Sequence, residues 1–131
     1  MITIIPCGAR KLTRQARADE MYTGSYHRMC QRYAKKLGHP FYILLAKYGL
    51  LRPSDIIEPY SLTLGQAGSV SPLRVAKQAE ELGIKNESCI AIGGKRYTDL
   101  CKAIFFNCQT PLQTNVRGGN GKQLQWMKAQ L

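Results

Sequence analysis

Acidic residues are scarce in this chain. Its 131 residues include eight Asp and Glu against nineteen Lys and Arg, which leaves a formal net charge of +11. An excess of this size predicts a polyanionic partner. Nucleic acid is favoured over an acidic membrane surface, because no basic helix carries an exposed bulky apolar face. Charge that serves only solubility is the alternative.

Long apolar runs are absent as well. No run approaches the roughly 20 residues that span a bilayer, and Met1–Pro6 lacks the charged start and the length of a signal peptide. We therefore expect a cytoplasmic protein with no membrane partner. The apolar share of 44% is ordinary for a soluble chain. The length predicts a single domain spanning residues 1–131.

The cysteines lack the spacing of a metal site or a disulfide framework. Zinc sites usually show close CxxC pairs, and secreted frameworks usually show even counts. This chain has neither, so we expect mostly buried free thiols, no metal and no cofactor. The five cysteines are Cys7, Cys30, Cys89, Cys101 and Cys108.

Short apolar runs alternate with amphipathic segments along the chain. Buried strands are predicted at residues 2–6, 41–46 and 88–92. Residues 9–19 are predicted to form a basic surface loop. Helices are predicted after Thr23-Gly24-Ser25, after Ser71-Pro72, from Gly93-Gly94 to about Phe105, and at the C-terminus. This alternation predicts an α/β fold: one three-layer domain with a short, mostly parallel sheet flanked by helices.

The richest stretch is residues 41–60. A continuous apolar strand ends at Lys47-Tyr48-Gly49, and the residues that follow show no regular period. Open α/β sheets build their sites from loops at the carboxyl edge of the strands. Two other predicted strands end in loops that are expected at the same edge of the sheet. These loops are Pro6-Cys7-Gly8 and Gly93-Gly94-Lys95. The second enters a helix and suits an anion, although the GxxxxGK[ST] spacing of a P-loop is absent.

Asp55 and Glu58 are candidate catalytic carboxylates within this stretch. Either could activate water as a general base or stabilise a developing cation. The structural alternative is that they pair with Arg52 or Lys47, or cap a helical turn. Lys47 is a candidate phosphate contact, or a nucleophile if burial lowers its pKa.

Cys7 is a candidate nucleophile at the end of the first strand. A structural thiol at a tight strand end is the alternative, because neither His27 nor His39 is spaced to identify a partner base. Tyrosines interleaved with basic residues suit unstacked bases, although tyrosines also pack cores. The candidate binding residues are Gly8, Lys11, Lys47, Tyr48, Gly49, Arg52, Tyr60, Gly93, Gly94, Lys95 and Tyr97.

The run Lys47–Asp55, followed by Glu58–Leu64, resembles the signature of the YaaA-like peroxide-stress proteins. It is even more similar to a related family of short uncharacterised bacterial and phage domains. The strand end at Pro6-Cys7 also resembles part of a domain of archaeal tRNA-base-exchange enzymes, whose fold is similar to uracil-DNA glycosylases. The family of short uncharacterised domains shares further elements with this chain: Pro6-Cys7 with Lys11, Tyr22-Thr23-Gly24, Pro111-Leu112, Gly121 and Gln123-Leu124-Gln125-Trp126.

This resemblance implies a glycosylase-like fold and DNA as the partner. YaaA-like proteins are regarded as DNA-binding and protective against oxidative damage, but they are longer and carry a helix-hairpin-helix element that is absent here. The glycosylases flip a base and hydrolyse its glycosidic bond with a positioned water. Their water-activating loop and His-containing loop are not recognisable in this chain.

The sequence therefore predicts a nucleic-acid-binding α/β domain, with DNA favoured over RNA, that engages a base or nucleotide at the carboxyl edge of the strands. If it is an enzyme, we expect N-glycosidic hydrolysis or base exchange. In that case Asp55 or Glu58 would orient water and Tyr48 or Tyr60 would stack the base. The alternatives are a non-catalytic DNA-binding stress or phage accessory protein, and a phage factor that binds a host protein or a small nucleotide.

Overall fold

The computed structural model describes residues 1–131, which form thirteen elements. In chain order these are β1 (Ile2–Pro6), β2 (Ala16–Arg17), α1 (Ala18–Met21), α2 (Ser25–Leu37), β3 (Phe41–Leu45), β4 (Gly49–Leu51), β5 (Ile56–Ile57), α3 (Pro72–Glu81), β6 (Cys89–Ala91), α4 (Lys95–Ile104), β7 (Cys108–Gln109), α5 (Pro111–Asn115) and α6 (Asn120–Gln130).

Five strands form the central sheet in the order β4-β3-β1-β6-β7. β1 pairs in parallel with both β3 and β6, and β6 pairs in parallel with β7, whereas β4 returns antiparallel to β3. The mostly parallel sheet is thus confirmed. All five residues of β1 are buried, which explains its unbroken apolar run: a strand covered on both faces shows no polar alternation.

Helices cover both faces of the sheet. Ile4 belongs to a core cluster formed with α3 and α4, whereas the next residue, Ile5, belongs to a second cluster formed with α2 and α6. Successive side chains of a strand point to opposite faces, so β1 supplies both cores. The predicted single three-layer α/β domain is confirmed. No helix combines the length and the apolar character needed to cross a membrane.

The predicted helices form, and the residues that cap or end them are mostly the ones that the sequence indicates. Gly38 ends α2 in the left-handed conformation at φ 79°, with its N–H donated to the carbonyl of Lys35. Ser71 caps α3, its hydroxyl accepting from the N–H of Arg74 at 3.1 Å, with Pro72 at the first helical position. The side-chain cap expected from Thr23-Gly24-Ser25 does not form, because α2 begins at Ser25 and its N-cap residue is Gly24.

Two segments predicted as irregular contain regular structure. The first is the predicted basic loop at residues 9–19, whose last part forms β2 and the beginning of the single-turn helix α1. After Lys47 the chain makes a hairpin into β4, and then β5 pairs antiparallel with β2. The expectation of a purely irregular segment at 47–60 is therefore wrong. Strands of two or three residues are too short to show a period in sequence, and long-range pairing decides them.

Candidate functional site

A crevice opens between the carboxyl ends of β1 and β6. From β1 the chain passes through α2 to β3 on one side, and it later returns to β6 on the other side. Such a reversal is the topological switch point at which open α/β sheets bind ligands. The crevice encloses about 390 Å³, enough for a small molecule. Its lining residues are Pro6–Arg10, Gly24–His27, Gly94, Tyr97 and Asn120.

A thiol and a phenol meet in this lining. The Sγ atom of Cys7 lies 3.0 Å from the Oη atom of Tyr97. Tyr22 and Tyr60 adjoin this pair, and their buried hydroxyls are neighbours of each other. Burial, assisted by the neighbouring Cys7, raises the pKa of Tyr60 to about 12 and raises that of Tyr97 further. These phenols therefore stay protonated at neutral pH and can act as hydrogen-bond donors.

His27 supports the crevice as a neutral residue. Its Nδ1 lies 2.8 Å from the carbonyl of Pro6, which can only accept, so Nδ1 carries the proton. Its Nε2 then accepts from the carboxamide of Gln31 at 2.8 Å. Burial lowers the pKa of His27 below its ordinary value of 6.5. The ring ties the end of β1 to α2 without placing a charge there.

Three helices begin at the crevice without side-chain caps. α2 starts after Gly24, α4 after Gly94 and α6 after Gly119, and none has an acidic residue in its first turn. The first N–H groups of a helix have no acceptor within it, and the helix macrodipole makes this end positive. At these helix starts, the backbone N–H groups without a protein acceptor are those of Ser25, Tyr26, His27, Lys95, Arg96, Asn120 and Gly121.

The glycine pair after β6 shapes one wall. Gly93 has φ 128°, and a Cβ atom there would lie 3.0 Å from the Cγ atom of Pro6. Close packing against the end of β1 therefore requires glycine at this position. Gly94 has no such neighbour, and it leaves the start of α4 open to the crevice.

The segment 47–60 touches the crevice through one side chain. Tyr48 packs edge-to-face against Tyr60 with ring centroids 5.7 Å apart, and the Nζ atom of Lys47 lies 5.3 Å from the Tyr48 ring centroid. The buried hydroxyl of Tyr60 adjoins Cys7. Tyr60 therefore links the stretch that stands out in sequence to the crevice.

The two candidate carboxylates lie outside the crevice lining. Asp55 accepts from the backbone N–H of Arg52 at 2.8 Å, which closes a local turn. Glu58 is exposed, and the Tyr48 hydroxyl contacts its backbone N and O atoms at 3.4 and 3.5 Å. The geometry gives these carboxylates a local structural setting, and their proposed catalytic roles stay predictions.

The structure brings together some of the predicted site residues and separates others. Cys7, Gly8, Gly94 and Tyr97 line the crevice and Tyr60 adjoins it. The predicted residues outside the lining are Lys11, Lys47, Tyr48, Gly49, Arg52, Asp55, Glu58, Gly93 and Lys95. The Lys95 side chain pairs with Asp99 at 2.8 Å, although its backbone N–H lies at the start of α4.

Several lining residues carry no conspicuous sequence signal. Arg10, Ser25, Tyr26 and Asn120 line the crevice but were not among the predicted site residues. Their backbone N–H groups matter at the helix starts, and a backbone donor leaves no side-chain signature. A helix start with glycine and no acidic residue is the one pattern that points to them. No group of three or more His, Cys, Asp or Glu is arranged to hold a metal ion.

Comparison with known proteins places the chain in a family. Residues 2–129 match the family model of DUF6884, a family of unknown function. The chain belongs to DUF6884. This DUF6884 chain is also similar to the uncharacterised protein YfjM of Bacillus subtilis (strain 168), with 32% identity over 114 residues covering 79% of this chain and 76% of the relative. The predicted membership in a short uncharacterised bacterial family is confirmed.

Proposed function

We propose that this DUF6884 domain binds nucleic acid and seats one nucleotide in the crevice between β1 and β6. The observation that carries the proposal is the position of the crevice at the switch point of the sheet. Its lining includes Arg10 and no carboxylate, with Tyr26 and Tyr97 as aromatic neighbours. Positive charge beside aromatic faces suits an anionic group attached to a base.

Few of the chain's positive charges form an ion pair, although Asp19 and Glu20 border the same surface as the basic residues of α2. Of the nineteen Lys and Arg, only Arg17 and Lys95 pair with a side-chain carboxylate. Arg28, Arg32 and Lys35 are exposed on one face of α2, at spacings of four and three residues. Because α2 begins at the crevice, this row forms a basic track, which we define by these three residues. It suits the phosphates of a strand that leaves the crevice.

DNA is our favoured partner because the Lys47–Tyr60 segment resembles the YaaA-like proteins. The Pro6-Cys7 strand end resembles domains of glycosylase-like fold. This resemblance supports binding of a nucleotide base in addition to the sugar-phosphate backbone of the nucleic acid. We further propose a cytoplasmic location, since all five cysteines are free thiols, which are typical of a reducing compartment.

The basic track predicts a salt-dependent affinity for DNA. Replacing Arg28, Arg32 and Lys35 together by Gln should weaken binding and reduce the slope of log K against log salt by about two to three, since each phosphate contact contributes about one. Fluorescence anisotropy of a labelled single strand and a duplex, at a series of salt concentrations, measures both quantities.

A matched triple variant controls for the loss of charge. Arg74, Lys77 and Lys102 are exposed on α3 and α4, which cover the opposite face of the sheet. Replacing these three by Gln removes the same charge but should leave the slope near the wild-type value. Equal effects of the two triple variants would reduce the proposal to non-specific attraction, and salt-independent affinity would refute it.

The enzymatic form of this proposal is N-glycosidic hydrolysis. The crevice lining supplies no carboxylate, so the geometry favours binding. We expect Asp55→Asn and Glu58→Gln to bind DNA as the wild type does. Oligonucleotides carrying modified bases, treated with alkali after incubation, test the chemistry directly. Strand breaks that require Asp55 or Glu58 would establish a hydrolase instead.

A further inference from the structure

The helices α2 and α6 pack against each other on one side of the sheet, and neither contains Asp or Glu. Their exposed cations are Arg28, Arg32, Lys35, Lys36, Lys122 and Lys128. The helices on the other side, α3 and α4, mix five Lys and Arg with three Asp and Glu. The surface formed by α2 and α6, which we call the α2–α6 face, therefore complements a polyanion best.

The two helices of this face run side by side in the same direction from the crevice. Tyr26 hydrogen-bonds Gln123 near the start of both helices, and Tyr33 contacts Trp126 further along both. Because a helix rises 1.5 Å per residue, the cations of α2 from Arg28 to Lys36 extend over about 12 Å. The face is therefore long enough for more than one phosphate of a strand.

Trp126, the single tryptophan of the chain, belongs to this face. Its ring packs edge-to-face against Tyr33, with ring centroids 5.7 Å apart and an angle of 72° between the planes. The side chain is half-buried, and its indole N–H has no protein partner and is not buried, so the ring reaches solvent. Exposed lysines lie one helical turn away, Lys122 before Trp126 and Lys36 after Tyr33. A fixed aromatic ring beside cations is the arrangement that stacks an unpaired base.

This arrangement favours a single strand over a duplex. The bases of a duplex are stacked on one another, whereas those of a single strand can leave the stack and pack on an aromatic side chain. The basic surface is also limited in width, because Asp19 and Glu20 of α1 border the cations of α2. Phosphates of a second strand on that side would meet carboxylates.

We infer that the α2–α6 face binds single-stranded nucleic acid and that Trp126 stacks one unpaired base. This inference rests on the function proposed above, and it specifies the form of the nucleic acid and a base site outside the crevice. Lys36 and Lys122 contact the phosphates on either side of the stacked base.

The fluorescence of Trp126 tests the inference directly, because no other tryptophan contributes to the signal. We expect a short oligothymidylate to quench it saturably, since a stacked base contacts the indole. The same strand annealed to its oligodeoxyadenylate complement should leave the fluorescence unchanged and bind at least about fivefold more weakly.

An abasic strand of the same length tests stacking without any change in the protein. It carries the same phosphates but no bases, so its affinity should depend on salt as that of the intact strand does. We expect it to bind at least about fivefold more weakly and to cause no quenching.

Two substitutions at Trp126 separate stacking from packing. Trp126→Leu should lower the affinity for oligothymidylate at least about fivefold and reduce the difference between the intact and abasic strands. Trp126→Phe keeps an aromatic ring against Tyr33 and should retain more of the affinity. The control, Phe106→Leu, removes a fully exposed ring from the connection between α4 and β7 and should have no effect. Circular dichroism verifies the fold of each variant.

The outcomes separate this inference from the proposed function. Equal affinity for single strand and duplex, equal affinity for intact and abasic strands, or single-strand binding without quenching overturns the inference. Salt-dependent binding in any of these cases would leave the proposed function standing. Absence of binding to every one of these nucleic acids would refute both.

Discussion

His27 shows how single residues hold the crevice in shape. The neutral ring bridges the carbonyl of Pro6 and the carboxamide of Gln31, and Gln31 in turn donates to the carbonyl of Asp19 at 2.8 Å. This chain of hydrogen bonds connects the exit of β1, the first turns of α2 and α1. The hydrogen bond from Gln31 to Nε2 forms only while His27 is unprotonated, because protonated imidazole cannot accept.

Stability should therefore fall in mild acid. Burial lowers the pKa of His27 below 6.5. Just below that pH, His27 is therefore protonated in the unfolded chain but still neutral in the folded chain. This contribution is complete above about pH 6.5 and is lost as the pH falls towards the folded pKa. Urea unfolding between about pH 7.5 and pH 5, followed by the fluorescence of the single Trp126, measures the loss.

Two histidine variants assign the effect. His27→Gln should cost about 1–3 kcal/mol at neutral pH, because it breaks buried hydrogen bonds, and should show a smaller loss of stability in acid. His39→Gln removes the other histidine, which is only half-buried, and should retain the wild-type dependence. If His27→Gln lost as much stability in acid as the wild type does, the pH dependence could not be assigned to His27.

The connection from β6 to α4 shows how an element is positioned for function. Gly93 turns the chain against Pro6 so that α4 begins at the crevice. Its carbonyl accepts from the side chain of Gln113 at 2.8 Å, which holds α5 against the same turn. Short elements that show no period in sequence are thus ordered by contacts from distant parts of the chain.

Gly93→Ala should destabilise the fold by about 1–3 kcal/mol, because the side chain enters a strained backbone conformation and crowds Pro6. Gly94→Ala is the neighbouring control: its backbone is extended and its Cβ meets open space, so its cost should be far smaller. Chemical denaturation compares the two. Equal losses of unfolding free energy in the two variants would show that the close packing of Gly93 against Pro6 does not affect stability.

At the level of the whole molecule, the architecture could be predicted from sequence and the site only in part. Apolar runs and helix signals extend over enough residues to identify β1, β3, β6 and the long helices. β2, β5 and β7 have two residues each, so pairing with distant strands decides them. The predictions also missed α5 and the turn α1.

The site was harder to predict because its parts are mostly backbone. The sequence predicts the site at residues 41–60, because ionisable and aromatic side chains are dense there. In the structure, only Tyr60 of that stretch lies next to the crevice. The convergence of three helix starts depends on strand order, which no local pattern encodes. Cys7, Gly94 and Tyr97 could be predicted because strand exits of α/β sheets share one edge.

The central place of β1 also governs when the crevice can exist. β1 is synthesised before both of its partners, β3 and β6, and Ile2 pairs with the distant Cys89. During synthesis the apolar β1 therefore lacks one neighbouring strand until β6 has left the ribosome. Such long-range closure slows folding. A nascent chain that ends before β6 lacks one wall of the crevice, so ligand capture begins only after the sheet has closed around its oldest strand.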